Sequence, residues 1–141
     1  RSSYNENSET VEVVIREHKK DRSAAQRKLG HLWHDQVAKQ IGWTHERVRN
    51  RIVCALAVPI FSRDRIVVNG VDCADTIAVI ENLKTQGLIM EYEQMLMSFV
   101  SNITTNSFNV KQNKEFLDNY FNLAIDKGWH LSVPDDLKYG W

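Results

Sequence analysis

Cysteine is scarce in this 141-residue chain: Cys54 and Cys73 are the only two. Two thiols make neither a disulfide framework nor a metal quartet, and they point to a reduced compartment. No apolar run approaches the ~20 residues that a membrane-spanning helix needs, and no signal-peptide pattern opens the chain. The sequence starts at Arg1 without a methionine, as expected of a trimmed or fused chain. Catalytic signatures are missing as well. GxSxG, a P-loop, HExxH and CxxC do not occur, so the residues argue for no enzyme and imply no cofactor. His31 and His34 stand three residues apart beside Asp35, a spacing that holds a metal only when further ligands converge. No second cluster supplies them, and no metal is expected. A metal-dependent nuclease built on these three residues is the outsider among the readings.

What the chain does have is divided charge. Its formal net charge is zero, yet residues 16–65 hold twelve Lys or Arg against five Asp or Glu. Residues 66–141 hold five Lys against ten acids. Such a protein presents one side to polyanions and another to different partners.

Residues 1–9 are polar and aperiodic, and are expected to be a disordered lead-in or fusion remnant; residues 10–141 form one domain. Thr10–Glu17 is rich in β-branched residues and reads as a strand. A helix follows from about Ala24 to Ile41, with Leu29, Leu32, Trp33, Val37 and Ile41 on its apolar face and Gly42 as its stop. Thr44 caps a second helix, with Val48, Ile52, Ala55 and Leu56 apolar and Pro59 at its end. Asn69-Gly70 fits a tight hairpin or an ordered loop. Asp75 opens a third helix, stopped by Gly87, and "LIMEYEQMLMSFVSNI" reads as a fourth. Asn109 and Gln112 form the capping box of a last helix that ends at Gly128. "WHLSVP" fits a short strand. The class is α+β, a helix-dominated single domain with a small sheet.

One stretch, "KKDRSAAQRKLGHLW", breaks a local rule. Ser23 reads as an N-cap and Gln26 as its capping-box partner. Lys19, Lys20, Arg22, Arg27 and Lys28 then crowd a helix start, where the macrodipole disfavours each by roughly 0.3–1 kcal/mol. A rule broken repeatedly at one place marks a site, and the fitting ligand is an anion. Arg47, Arg49 and Arg51 repeat the arrangement behind Thr44, so two helix starts ringed by cations make a phosphate-binding surface. Trp43 is the indole best placed for a base to stack on. Trp33, on the apolar stripe, reads as core, as do Trp129 and Trp141.

The block "VEVVIREHKKDRSAAQRKLGHLW" resembles the NinB family of phage recombination proteins. The residues that carry the likeness are Arg22, Ser23, Gln26, Arg27, Lys28, Leu29 and Trp33, with Ile41 and Trp43 beyond. A polar loop at Thr104–Ser107 before the final helix extends it, so that it covers residues 10–130. The resemblance implies a homodimer that binds single-stranded DNA beside a single-strand-binding protein. It would help a recombinase load in the cytoplasm of a bacterial host, without nuclease activity and without a membrane. It also implies Arg22, Gln26, Arg27 and Lys28 as DNA contacts. The competing expectation is a protein–protein adaptor whose basic face docks an acidic partner tail.

Overall fold

The computed structural model describes residues 3–141, with side chains described from Arg22 onward. Its first element is a 39-residue helix, α1 (Ser3–Ile41). Leu29, Trp33 and Val37 fall on one face at helical spacing, and each is fully buried. Gly42 takes a left-handed conformation, φ 75°, and donates back to the Ala38 carbonyl at 2.9 Å to end the helix.

Three expectations for this region are corrected. The strand anticipated at Thr10–Glu17 is helical, part of α1, and so are residues 3–9 of the anticipated lead-in; Arg1 and Ser2 lie outside the described residues. β-Branched residues favour a strand only where a neighbouring strand receives them, and the sheet found among the described residues lies elsewhere. Ser23 is therefore an interior residue of α1 and not an N-cap. Gln26 accordingly has no capping box to complete.

Thr44 does cap α2 (His45–Ile52), its Oγ1 accepting from the Arg47 N–H at 3.2 Å. Pro59 does not end the helical run. The chain widens into a π-turn over Val53–Ala57 and continues as α3 (Val58–Arg63), with Pro59 in the first turn, where a missing N–H costs least. The wider turn rotates the apolar face. Val53, Ala57, Ile60 and Phe61 are buried, while Ala55 is exposed and Leu56 only half-buried.

Asn69 and Gly70, at φ 52° and 78°, make the turn of a hairpin in which β1 (Val67–Val68) pairs antiparallel with β2 (Val71–Asp72). Asp72, rather than Asp75, caps α4 (Cys73–Thr85), its Oδ1 accepting from the Ala74 N–H at 2.9 Å. Gly87 turns the chain into α5 (Ile89–Asn102). A short 3-10 turn at Thr105–Ser107 leads to α6 (Val110–Lys127), opened by the reciprocal Asn109–Gln112 capping box and closed by Gly128.

The "WHLSVP" segment is extended in sequence preference but joins no sheet. Its backbone is satisfied by side chains of α1 instead. Gln40 accepts from the His130 N–H at 2.8 Å and donates to the His130 carbonyl at 2.7 Å. One turn earlier, Gln36 accepts from the Ser132 N–H at 3.0 Å, and Trp33 Nε1 donates to the Ser132 carbonyl at 2.7 Å. The C-terminal turn Asp135–Gly140 then folds back onto α1. It comes so close that a Cβ on Gly140 would stand 2.5 Å from that of Ala25.

The core lies where α1, α6 and the α2–α3 run converge. Trp33 meets Tyr120 and Trp141 edge-on, each at 5.4 Å between ring centres. The fold is α+β, helix-dominated with one small antiparallel sheet.

Candidate nucleic-acid interface

The cations of the Lys19–Lys28 stretch sit inside a helix, far from either dipole end. Lys19 and Lys20 fall on α1 but outside the residues whose side chains are described. Arg22 is half-buried, with its Nε buried and without a partner. Gln26 is 1% exposed, and its Nε2 donates to the Val110 carbonyl at 3.0 Å, tying α1 to the start of α6. This corrects the expectation of Gln26 as a surface DNA contact. Arg27 and Lys28 are exposed and, among the described residues, make no ion pair. The physical reason given for an anion at this helix start is therefore absent. What remains on α1 is an exposed pair of cations.

The second stretch is divided by its own spacing. On a helix, residues two apart point to different sides, and residues four apart share one. Arg49 is turned toward the end of α5, donating through Nη1 to the Val100 carbonyl at 2.8 Å and through Nη2 to the Ile103 carbonyl. Burial lowers its pKa, and the unpaired carbonyls of the helix end compensate for the lost solvent. Arg49 is thus spent on the fold, which corrects its assignment to the interface.

Arg47 and Arg51, one turn apart, stay exposed. The Arg47 guanidinium lies 3.9 Å from the centre of the half-buried Trp43 ring. With Thr44, Asn50 and Met97 they line a cleft of about 370 Å³, and Glu46 brings one carboxylate to it. Met97 reaches the cleft from α5, which sequence reasoning had no means to see. Asn50 was missed although its helical spacing from Arg47 and Glu46 would have found it.

Arg63 and Arg65, by contrast, are paired. Arg63 binds Asp64 at 2.8 Å and Glu115 of α6 at 2.6 Å, and Arg65 binds Asp72 at 2.8 Å. The charge surplus counted along the sequence is smaller in space.

Where α1 and α2 meet, three imidazoles gather. His31 stacks on His45 at 5.8 Å, and His34 stands edge-on to His45 at 5.5 Å. Asp35 bonds His45 Nδ1 at 2.6 Å, which holds its carboxyl below the usual range. His34 is buried, 3.0 Å from the Tyr120 hydroxyl. Its burial, with His45, His31 and Arg49 near, pulls its pKa down to about 3 and keeps it neutral. Among the described residues no group of three or more His, Cys, Asp or Glu is arranged to hold a metal. Both cysteines are free, with burial raising their pKa values.

Beside this cluster lies a small cavity of about 20 Å³, lined by Gln26, Gly30 and His34 of α1, Asn113 and Phe116 of α6 and Thr105. It brings together residues of α1 and Thr105, which lie some eighty residues apart in the chain. No helix among the described residues is long and apolar enough to cross a membrane. No protein family, curated protein or solved structure matches this chain.

Proposed function

We propose that this chain binds single-stranded DNA as a recombination accessory protein of phage or prophage type, with the Trp43 cleft as its principal contact. The observation that carries the reading is the Trp43–Arg47–Arg51 arrangement. A half-buried indole offers a base a stacking surface, and two guanidiniums one turn apart, without an ion pair among the described residues, offer the flanking phosphates bidentate contacts. Arg27 and Lys28 extend the cationic surface on α1. The recombination role, the homodimer, the single-strand-binding protein as a partner and the bacterial cytoplasm rest on the NinB resemblance alone.

The test is a fluorescence titration with single-stranded and duplex oligonucleotides across salt concentrations. Each neutralised phosphate on a single strand contributes a slope of about −0.7 in log K against log salt. Arg47→Ala with Arg51→Ala is expected to weaken single-strand binding and flatten that slope. Binding that is absent at low salt, or equal for the double variant, refutes the reading.

A second reading has its own observation. Met97 gives the cleft an apolar wall beside the two guanidiniums, which also suits an acidic peptide ending in an apolar side chain. An acidic peptide that binds with DNA absent, and a protein that binds no DNA, would favour the adaptor.

A further inference from the structure

The Trp43 cleft holds one charge that phosphate binding does not explain. Glu46 lines it beside Arg47, is exposed, and makes no ion pair among the described residues. An acid in the first turn of a helix suits the macrodipole. A carboxylate in a cleft that receives phosphates nevertheless repels them, unless a donor on the same ligand neutralises it.

The side chains that α2 gives to the cleft fall into two rows. Arg47 and Arg51 stand one turn apart, and so do Glu46 and Asn50. The first row is cationic. The second is a carboxylate, which only accepts hydrogen bonds, followed by an amide. Asn50 Oδ1 accepts from Arg49 Nη1 at 2.8 Å, so the amide keeps its Nδ2 donors for a ligand. Arg49 is itself anchored on the Val100 carbonyl at 2.8 Å, which holds that orientation. At about 370 Å³ the cleft has room for a base at the Trp43 indole with one edge against the second row.

We propose that the cleft prefers guanine, with Glu46 accepting both N–H donors of its Watson–Crick edge and Asn50 donating to its O6. The inference rests on the single-stranded-DNA reading above and adds a base preference to it. On a single strand the Watson–Crick edge is free to be read. Guanine sets two donors side by side, the ring N1–H and the N2 amino group, with the O6 acceptor next to them. A carboxylate accepts such a pair through two parallel bonds, as it does from an arginine. Adenine and cytosine set one amino group beside a ring-nitrogen lone pair, and thymine sets one N–H between two carbonyls. Each of these three turns a lone pair toward the Glu46 carboxylate, which repels it.

The experiment measures the affinity of the full chain for short thymidine strands carrying guanine, inosine or thymine at one central position. Inosine keeps the purine ring, the N1–H and the O6 of guanine and lacks only the amino group, so stacking is held constant. All three strands carry the same charge, so phosphate contacts cancel in the ratios. The wild type is expected to bind the guanine strand about tenfold tighter than the thymine strand, the scale of a charge-assisted contact. Inosine should give back about threefold of that, the scale of one hydrogen bond. Glu46→Gln, at an exposed position, folds and presents a single acceptor in the same shape. It should bring the guanine strand to within about twofold of the thymine strand. Equal wild-type affinities for guanine and thymine, an inosine strand bound as tightly as guanine, or a guanine preference that survives Glu46→Gln overturns the inference and leaves the cleft reading standing. Failure to bind any of the three strands removes the cleft reading and this inference with it.

Discussion

The two cation-rich stretches, Lys19–Lys28 on α1 and Arg47–Arg51 on α2, look alike in sequence and differ in placement. The first lies within a long helix, where Arg22 and Gln26 turn inward and Arg27 and Lys28 face solvent. The second follows a true N-cap, and its spacing sends Arg49 to the carbonyls of α5 while Arg47 and Arg51 flank Trp43. Charge of one sign, counted along a chain, says little about chemistry. Its angle on the helix and its distance from the helix ends decide whether it holds the fold or meets a ligand.

The largest effect expected from this contrast is on affinity. Reversing Arg47 and Arg51 to Glu should lower single-strand binding about 100-fold at low salt, the scale of two lost charge-assisted contacts. Reversing Arg27 and Lys28 should cost less than about tenfold, since this pair lacks an exposed ring beside it. Equal losses would erase the distinction. Within α2 the contrast sharpens further. Arg49→Ala should cost about 2 kcal/mol of folding stability in urea melts, because two carbonyls at the α5 end lose a charged donor. Arg51→Ala, exposed and without an ion pair among the described residues, should change stability by less than about 0.5 kcal/mol.

The corner where α1 and α2 meet has its own dependence on pH. His34 titrates near 3 when folded and at its ordinary 6.5 when unfolded, so between these values the unfolded chain binds more protons. Stability is therefore complete above pH 6.5 and falls as the pH drops, by up to about 1.4 kcal/mol per unit from this residue. Urea midpoints measured from pH 7 to 5 should show the fall, and His34→Asn should flatten it. A modest loss of stability is expected at the cap. Thr44→Ala should cost about 1 kcal/mol by removing the bond to the Arg47 N–H.

Much of the fold was legible because its signals are local. Thr44, Asn109 with Gln112, Asn69-Gly70 and the glycines at 42, 87 and 128 each act within a few residues, and each does what its chemistry dictates. The failures needed non-local knowledge. Val11 to Ile15 favour a strand only if a partner strand exists, and the helix continues through Ser23 because nothing requires it to stop there. The "WHLSVP" segment finds its hydrogen bonds on Gln36 and Gln40, some ninety residues earlier. Of the candidate site, Trp43 was named from its place after a helix stop and Arg47 and Arg51 from their charge at a helix start, while Arg49 and Gln26 were misplaced. Both are polar residues that the fold consumes, and only their tertiary partners, the Val100 and Val110 carbonyls, reveal it.

The central claim is that the Trp43 indole, backed by Arg47 and Arg51, takes a base of a single strand. The most direct measurement follows the four tryptophan indole N–H resonances while a single-stranded oligonucleotide is added. The account predicts that the Trp43 resonance moves, less at higher salt, while that of Trp33, bonded to the Ser132 carbonyl in the core, stays in place. A stationary Trp43 resonance under conditions where the strand binds would contradict it.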